Sequence, residues 1–191
     1  MRSRFLPEGR LLHTPENEAA CASCDGLRRA MEEGTVLEGV AQLCDGAHNL
    51  LVSVGPFTGF LPREEAALGI AEGTTREIAI LSRVGKPVCF QITALEESGG
   101  VLRPRLSRRR AQQAALDAML AGLHPGCILP AVVTHLESFG AFVDIGCGVP
   151  SLIGIENISV SRIPHPDQRF RVGQAIFAVV QELDPKLGRV Y

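Results

Sequence analysis

Short apolar runs separated by turn residues dominate the second half of the chain. They lie at residues 127–135, 140–145, 149–154 and 174–183, and a last run begins near Arg189. Turn sequences separate them at Gly146-Cys-Gly148 and Asp184-Pro-Lys-Leu-Gly188. Runs of this length that are bounded by glycine and proline predict β-strands. Five strands within roughly 70 residues are typical of a closed Greek-key barrel of the OB type.

The first half of the chain carries a related pattern at an offset of about 90 residues, which indicates a duplicated module. The matching pairs are Gly34-Thr-Val-Leu with Gly126-Cys-Ile-Leu, Val52-Ser-Val-Gly55 with Val143-Asp-Ile-Gly146, Gly59-Phe-Leu-Pro62 with Ser151-Leu-Ile-Gly154, and Arg83-Val-Gly with Arg171-Val-Gly. We therefore predict a mainly β protein with two five-stranded OB-fold barrels.

Helix-forming residues lie between the two modules and before the first. Ser107 is a capping residue before an alanine- and glutamine-rich stretch, which predicts a linker helix over residues 107–123. Thr14 followed by Pro15 predicts the start of an N-terminal helix that Gly34 closes. The predicted order is an N-terminal segment with a helix at residues 1–33, a barrel at 34–106, the linker helix, and a second barrel at 124–191.

The predicted N-terminal helix contains Cys21 and Cys24, two of the six cysteines. The spacing of apolar residues around Cys24 predicts that this side chain lies on the buried face. The Cys-Ala-Ser-Cys stretch is also compatible with a redox or metal motif, but zinc normally takes four ligands and no second pair follows. In a chain long enough to build a core, we expect reduced thiols that pack as small apolar groups, with no metal and no cofactor.

The net charge of −2 does not indicate nucleic-acid binding by itself, so the distribution of charge matters more. The basic excess is confined to Arg103, Arg105, Arg108, Arg109 and Arg110. Such a run is compatible with phosphate contact or with a solvated helix start. No apolar run approaches the length of a signal peptide or a membrane span. We therefore expect a cytoplasmic protein that does not associate with membranes.

The second module resembles a known family, the S1 RNA-binding domain, which is the repeat of bacterial ribosomal protein S1. The likeness is carried by Phe139-Gly-Ala-Phe142-Val-Asp-Ile-Gly, Ser151-Leu-Ile, Ile158-Ser159, Leu183-Asp184 and Gly188-Arg189. It covers residues 126–191, and residues 34–107 resemble the same domain more loosely. Two such modules joined by a helix are similar to the S1-like proteins of clostridial bacteria. The resemblance implies barrels of the S1 type that bind single-stranded RNA.

The resemblance also implies a binding face on the second barrel. Phe139 and Phe142 would form a platform on which unpaired bases stack, a contact worth about 1 to 3 kcal/mol per base. Asp184 and Arg189 fall on family positions near the same face. Arg171, and Arg108 and Arg109 of the basic run, are further candidates for RNA contact. An aromatic ring in a small barrel can also fill the core. Stacking and core packing are therefore both open for the two phenylalanines at this point.

Several positions depart from the family pattern. Gly154 stands where the family usually places a histidine on the binding face. In the first module, His48 and Leu51 stand at the phenylalanine positions, so we do not expect that module to stack bases. It would instead dock on protein, and Phe57 and Phe60 are candidates for that contact unless they are buried.

These observations predict an RNA-binding protein of the translation machinery that binds messenger RNA, with the small ribosomal subunit as a candidate partner. A protein-docking or scaffolding module and an accessory RNA grip of a ribonuclease are the alternatives. No acid cluster for metal-dependent chemistry and no nucleophile with its base is visible, so we expect no catalytic activity. Gly188-Arg-Val-Tyr191 would begin the fifth strand of the second barrel, and we therefore expect the chain to be part of a longer protein.

Overall fold

The computed structural model describes residues 5–191. They divide into two compact units. The N-terminal unit is Glu8–Gln113, and the C-terminal unit comprises residues 5–7 and Ala114–Tyr191. The chain is mainly β, as predicted. No helix in the described part of the chain combines the length and the apolar character that crossing a membrane requires.

Two helices, α1 (Pro15–Cys21) and α2 (Cys24–Glu33), precede the strands of the N-terminal unit. Thr14 caps α1, because its hydroxyl accepts a hydrogen bond from the backbone N–H of Asn17. Gly34 ends α2 in the left-handed conformation, with φ of 63°. The two predicted ends are therefore observed, but the helix between them is not continuous.

The break between α1 and α2 changes which cysteine is buried. Ser23 has an extended backbone, and its hydroxyl accepts a hydrogen bond from the backbone N–H of Gly26, so a new helix begins at Cys24. Helical spacing does not continue across such a break. Cys21 is buried and Cys24 is exposed, so the prediction that Cys24 lies on the buried face is wrong.

Five strands of the N-terminal unit form a closed barrel in the order β1-β2-β3-β5-β4. They are β1 (Leu37–Cys44), β2 (Leu50–Val54), β3 (Phe57–Leu61), β4 (Pro87–Ser98) and β5 (Val101–Ser107). The parallel contact of Phe60 in β3 with Arg105 in β5 closes the barrel. A short helix, α3 (Ile78–Leu81), lies in the connection from β3 to β4.

Alternation along β2 shows which face of the barrel is the core. Leu50, Val52 and Val54 are fully buried, whereas Leu51 and Ser53 are only half-buried. Every second residue therefore points inward, as the two-residue period of a strand requires. Leu51 consequently belongs to the outer face.

Helix α4 (Arg108–Gly122) follows β5 directly. Its first turn is capped by Ser107, whose Oγ accepts a hydrogen bond from the backbone N–H of Arg110 at 3.0 Å. The helix begins within the N-terminal unit and ends within the C-terminal unit. Ala115, Leu116 and Met119 are its buried residues in the C-terminal unit.

The C-terminal unit has a four-stranded antiparallel sheet in the order β8-β7-β6-β9, and a separate two-stranded hairpin, β10-β11. The strands are β6 (Ile128–Glu137), β7 (Gly140–Asp144), β8 (Pro150–Gly154), β9 (Ala175–Val179), β10 (Leu183–Asp184) and β11 (Arg189–Val190). The sheet order repeats the order β3-β2-β1-β4 of the N-terminal unit.

The predicted closed barrel of five strands is not what the C-terminal unit shows. The predicted fourth strand at residues 174–183 is interrupted, and its two parts are β9 and β10. Strand β11 has two residues and pairs with β10 alone. Its contact with β8 is a hydrogen bond from the Ser151 hydroxyl to the Val190 carbonyl, at 2.7 Å. A side-chain bond of this kind does not continue the backbone ladder that would close the sheet.

Candidate nucleic-acid interface

Two rows of residues cover one face of strands β6, β7 and β8, which we call the outer face. They are His135, Phe142 and Leu152 in one row and Glu137, Gly140 and Gly154 in the other, each in cross-strand order. Ala141 and Val143, on the opposite side of β7, are buried. The two rows therefore point away from the core of the unit.

Three aromatic rings cluster at this face. Phe139 lies in the turn between β6 and β7, and 53% of it is exposed. Its ring centroid is 6.1 Å from that of Phe142, and the two planes meet at 87°. The His135 ring lies on the other side of Phe142, with centroids 6.2 Å apart and an interplanar angle of 32°. These distances are those of interacting aromatic pairs.

The exposure of the rings decides between core packing and a surface role. Phe139 is more than half exposed, so filling the core is not its function. Phe142 is half-buried because it lies between two other rings on the outer face, not because it enters the core of the unit. Exposed aromatic rings on a sheet of this kind are the usual platform for unpaired bases.

His135 belongs to the cluster, although the sequence analysis did not select it. Strand β6 has a bulge between Val133 and His135, after which His135 pairs with Phe142 across the hairpin. Glu137 accepts a hydrogen bond from His135 Nε2 at 2.7 Å and holds the ring in place. The position of His135 could have been predicted from the two-residue turn at residues 138–139. Residues equidistant from such a turn face each other, and His135 and Phe142 are equidistant.

Gly154 stands where the family pattern would place a histidine. The Glu156 carboxylate occupies the space that a side chain at this position would need. A Cβ atom built on Gly154 would stand 2.7 Å from the Cδ of Glu156 and would touch its Oε1. Gly140 lies opposite, and a Cβ there would meet the Gly154 Cα at 3.2 Å. Neither glycine can be replaced without displacing a neighbour. We call this pair, Gly140 and Gly154, the glycine floor of the outer face.

Asp184 and Arg189 are brought together, but separately from the rings. They are cross-strand neighbours in the β10-β11 hairpin. Asp184 Oδ1 accepts hydrogen bonds from the backbone of Lys186 at 2.9 Å and Leu187 at 3.0 Å, so it stabilises the turn. Arg189 is exposed, and a side-chain hydrogen bond with Tyr191 raises its pKa.

Arg171 lies in the turn that leads into β9 and is exposed. Its backbone N–H donates to Gln174 Oε1 at 2.9 Å. The same turn is attached to β6, because Gly173 donates a backbone hydrogen bond to the Val133 carbonyl at 2.7 Å. The turn that contains Arg171 is therefore attached to β6 two residues before His135.

Arg108 does not have the predicted role in phosphate contact. Its side chain is 7% exposed, and its Nε and NH2 atoms pair with the two carboxylate oxygens of Glu8 at 2.6 and 2.9 Å. It also donates to the Ala66 carbonyl at 3.1 Å. Burial alone would raise the pKa of Glu8, but the Arg108 and Arg83 charges lower it to about 2. Arg108 is thus the buried counter-ion of Glu8, which leaves its guanidinium little surface for the predicted RNA contact.

Arg109 is also paired within the N-terminal unit. Its NH2 atom lies 2.5 Å from Glu72 Oε1, and 39% of its side chain is exposed. The Arg109 side chain lowers the pKa of Glu72, together with a backbone hydrogen bond that has the larger effect. This ion pair restricts Arg109 as a phosphate contact but leaves the guanidinium accessible.

The N-terminal unit has an ion-pair network where the C-terminal unit has rings. His48, at the position that corresponds to Phe139, has a left-handed backbone with φ of 63°. Its Nδ1 contacts the Glu77 carboxylate. Arg63 Nε donates to the same carboxylate at 2.7 Å. The three side chains therefore bind one another at this edge of the barrel.

Phe57 and Phe60, the predicted protein contacts of the N-terminal unit, have different surroundings. Phe57 is partly buried and packs against the barrel core. Phe60 lies on the outer face, and the Arg105 guanidinium is 5.6 Å from its ring centroid, which is within the range of a cation–π contact. Neither phenylalanine is fully buried.

The cysteine pair Cys21 and Cys24 shows no sign of activation at its buried member. Burial raises the pKa of the Cys21 thiol to about 11, which disfavours the reactive thiolate. Within residues 5–191, no group of three or more His, Cys, Asp or Glu side chains is arranged to hold a metal ion.

The geometry agrees with the results of comparison with known proteins. The S1 RNA binding domain family matches residues 123–191. These residues are therefore similar to an S1 RNA-binding domain. The match contains the whole outer face, the hairpin pair Asp184 and Arg189, and Arg171. The other two predicted site residues, Arg108 and Arg109, lie before it.

Relatives extend the similarity beyond the S1 domain. Small ribosomal subunit protein bS1 from Neisseria meningitidis serogroup B is 28% identical over 181 residues, which is 92% of this chain and 30% of that protein. Protein tex from Bordetella pertussis is 35% identical over 109 residues, or 56% of this chain and 14% of that protein. The chain thus spans about a third or less of these relatives. The solution structure of GSP13 from Bacillus subtilis aligns with 36% of this chain and 52% of its own, at 22% identity and a TM-score of 0.34.

Proposed function

We propose that the chain binds single-stranded RNA on the outer face of its S1 domain, by stacking bases on Phe139 and Phe142. The observation that carries the proposal is the exposed ring cluster, with Phe139 more than half exposed beside Phe142 and His135. Stacking on such rings tolerates any sequence because every base has a π-face. Arg171 and Arg189 are exposed and supply the phosphate contacts.

The proposed setting is the translation machinery in the cytoplasm. Similarity to ribosomal protein bS1 over 92% of the chain supports it. Messenger RNA is then the proposed ligand, and the small ribosomal subunit is the proposed partner. The role is binding, with no catalytic step and no cofactor.

The test is a titration of labelled single-stranded RNA, followed by fluorescence anisotropy at low salt. Replacing Phe139 by alanine should weaken binding by about 1 to 3 kcal/mol, or roughly 5- to 150-fold, because one stacking surface is lost. Phe177→Ala is the matched control. Phe177 is 80% exposed on β9 of the same unit but lies outside the ring cluster, so its removal should leave the affinity nearly unchanged.

Two outcomes would contradict this function. One is the absence of measurable RNA binding by the wild-type chain at low salt. The other is an equal loss of affinity in Phe139→Ala and Phe177→Ala, which would mean that any exposed ring contributes non-specifically. Either result would favour the docking or scaffolding role.

A further inference from the structure

The outer face contains an acceptor group beside its rings. The short 3-10 turn Ile155–Asn157 follows β8 directly. Its first backbone N–H, that of Ile155, donates to the Phe139 carbonyl at 3.0 Å. This bond fixes the turn against the ring-bearing loop, so that Glu156 follows immediately after an anchored residue.

The Glu156 carboxylate is folded back over Gly154, one of the two residues of the glycine floor. It occupies the space where a side chain on Gly154 would be, with its Cδ 2.7 Å from that Cβ position. Its hydrogen bond with Asn157 Nδ2 is long, at 3.4 Å. Glu156 is exposed, so its carboxylate retains lone pairs for a ligand.

The position of this carboxylate relative to the rings follows from strand pairing. Gly154 lies opposite Gly140, and Leu152 lies opposite Phe142. Gly154 and Phe142 are therefore diagonal neighbours on one face, about 7–8 Å apart. With no side chain on Gly140 or Gly154 to intervene, a base stacked on Phe142 can extend its polar edge over the floor toward Glu156.

We propose that Glu156 selects stacked bases that present an amino group, so that the site prefers cytosine to uracil. This selection rests on the proposed stacking function. A carboxylate only accepts hydrogen bonds. Cytosine offers a donor at N4, which carboxylates recognise in nucleic acids. Uracil has a carbonyl oxygen at the same position, and two acceptors facing each other repel.

The experiment compares oligo(C) and oligo(U) of about eight nucleotides, whose bases differ in this group and in the proton that uracil carries at N3. Anisotropy titrations at neutral pH should show oligo(C) binding roughly 5-fold or more tightly to the wild-type chain, the lower end of the discrimination that a base contact gives. In Glu156→Gln the preference should fall to near unity, because an amide both donates and accepts. Glu182→Gln, which makes the same charge change at another exposed acid of the unit, should keep the preference.

Each result has a distinct meaning. Equal binding of the two RNAs by the wild-type chain would overturn the selection while leaving stacking intact. A preference that survives in Glu156→Gln would also overturn it, because another group would then be the reader. If neither RNA binds, the proposed stacking function itself fails, and the selection fails with it. Circular dichroism of each variant checks that the fold is retained.

Discussion

The two units place different residues at equivalent strand positions. In the C-terminal unit the row across three strands is His135, Phe142 and Leu152. In the N-terminal unit the corresponding row is Leu43, Leu51 and Phe60. The strand order is shared, but the central ring of the first row is an aliphatic side chain in the second.

The ends of the two rows differ as well. In the N-terminal unit, β5 lies beside β3 and brings Arg105 over the Phe60 ring. The turn beside this row is occupied by the contact of His48 with Glu77 and the ion pair of Arg63 with the same carboxylate. In the C-terminal unit the turn presents Phe139, exposed. Groups that could contact a ligand are thus paired internally in one unit and left accessible in the other.

The two units show that a shared strand order does not determine what the outer face of a sheet binds. A fold supplies positions, and the side chains at those positions determine what is bound. The N-terminal unit also places charged groups in its interior, namely Glu8, Glu38 and Arg108. Its role in the chain is therefore expected to be structural, and the RNA-binding role is expected only of the C-terminal unit.

The largest expected effect is on stability and belongs to the N-terminal unit. Arg108→Ala should lower the free energy of unfolding by about 3–5 kcal/mol, because Glu8 would remain buried without its main counter-ion. Urea unfolding measures this. Arg110→Ala is the control, since Arg110 is exposed and its loss should cost less than about 0.5 kcal/mol.

RNA affinity distinguishes a role of Arg108 as the buried counter-ion of Glu8 from the phosphate contact that the sequence predicts. At temperatures where Arg108→Ala is folded, it should bind RNA as well as Arg110→Ala does. A weaker affinity without a loss of stability would mean that the arginine contacts phosphate after all, and that the two units share the binding role.

The second prediction concerns pH. Burial raises the pKa of Glu38 to about 7, above its ordinary value of 4.5. Protonation is then favoured in the folded state, so this stabilisation is present below about pH 4.5 and is lost as the pH rises through 7. Glu8 behaves oppositely. Its pKa of about 2 means that its contribution is present above pH 4.5 and is lost as the pH falls toward 2.

The free energy of unfolding should therefore be highest near pH 4.5 and fall on both sides. The decrease toward neutral pH is at most about 3 to 4 kcal/mol, since the pKa of Glu38 rises from 4.5 to about 7 and one pKa unit corresponds to about 1.4 kcal/mol. Urea titrations at about pH 3, 4.5 and 8 measure it. Glu38→Gln should remove the decrease above pH 4.5 and keep the one below it. A flat profile in the wild-type chain would show that folding shifts the pKa of neither Glu8 nor Glu38.

Local patterns predicted much of this structure. The runs at residues 140–145 and 149–154 anticipated β7 and β8 to within a residue at each end, because turn glycines bound them. The cap at Ser107 and the helix end at Gly34 were also predicted. The aromatic motif selected Phe139, whose exposure depends only on its position in a tight turn.

Features that depend on distant partners were not predictable. Arg108 is separated by 100 residues from Glu8, its counter-ion, and its position in a basic run indicates solvent instead. The bulge in β6 between Val133 and His135 shifts the pairing register beyond His135, and no single residue type predicts such a bulge. The predicted fourth strand of the second module is apolar without a break from Ala175 to Val180, so this run did not show that β9 stops at Val179.

The smallest expected effects lie on the outer face of the N-terminal unit, and they test the comparison most directly. His48→Ala and Leu51→Ala should each change RNA affinity less than twofold, because His48 is bound to Glu77 and Leu51 offers no ring for stacking. Phe142→Ala, at the position equivalent to Leu51, should weaken binding by about 1 to 3 kcal/mol. The same anisotropy titration serves for all three variants. If Leu51→Ala and Phe142→Ala weakened binding equally, both units would contact RNA, and the different residues on their faces would not mean different roles.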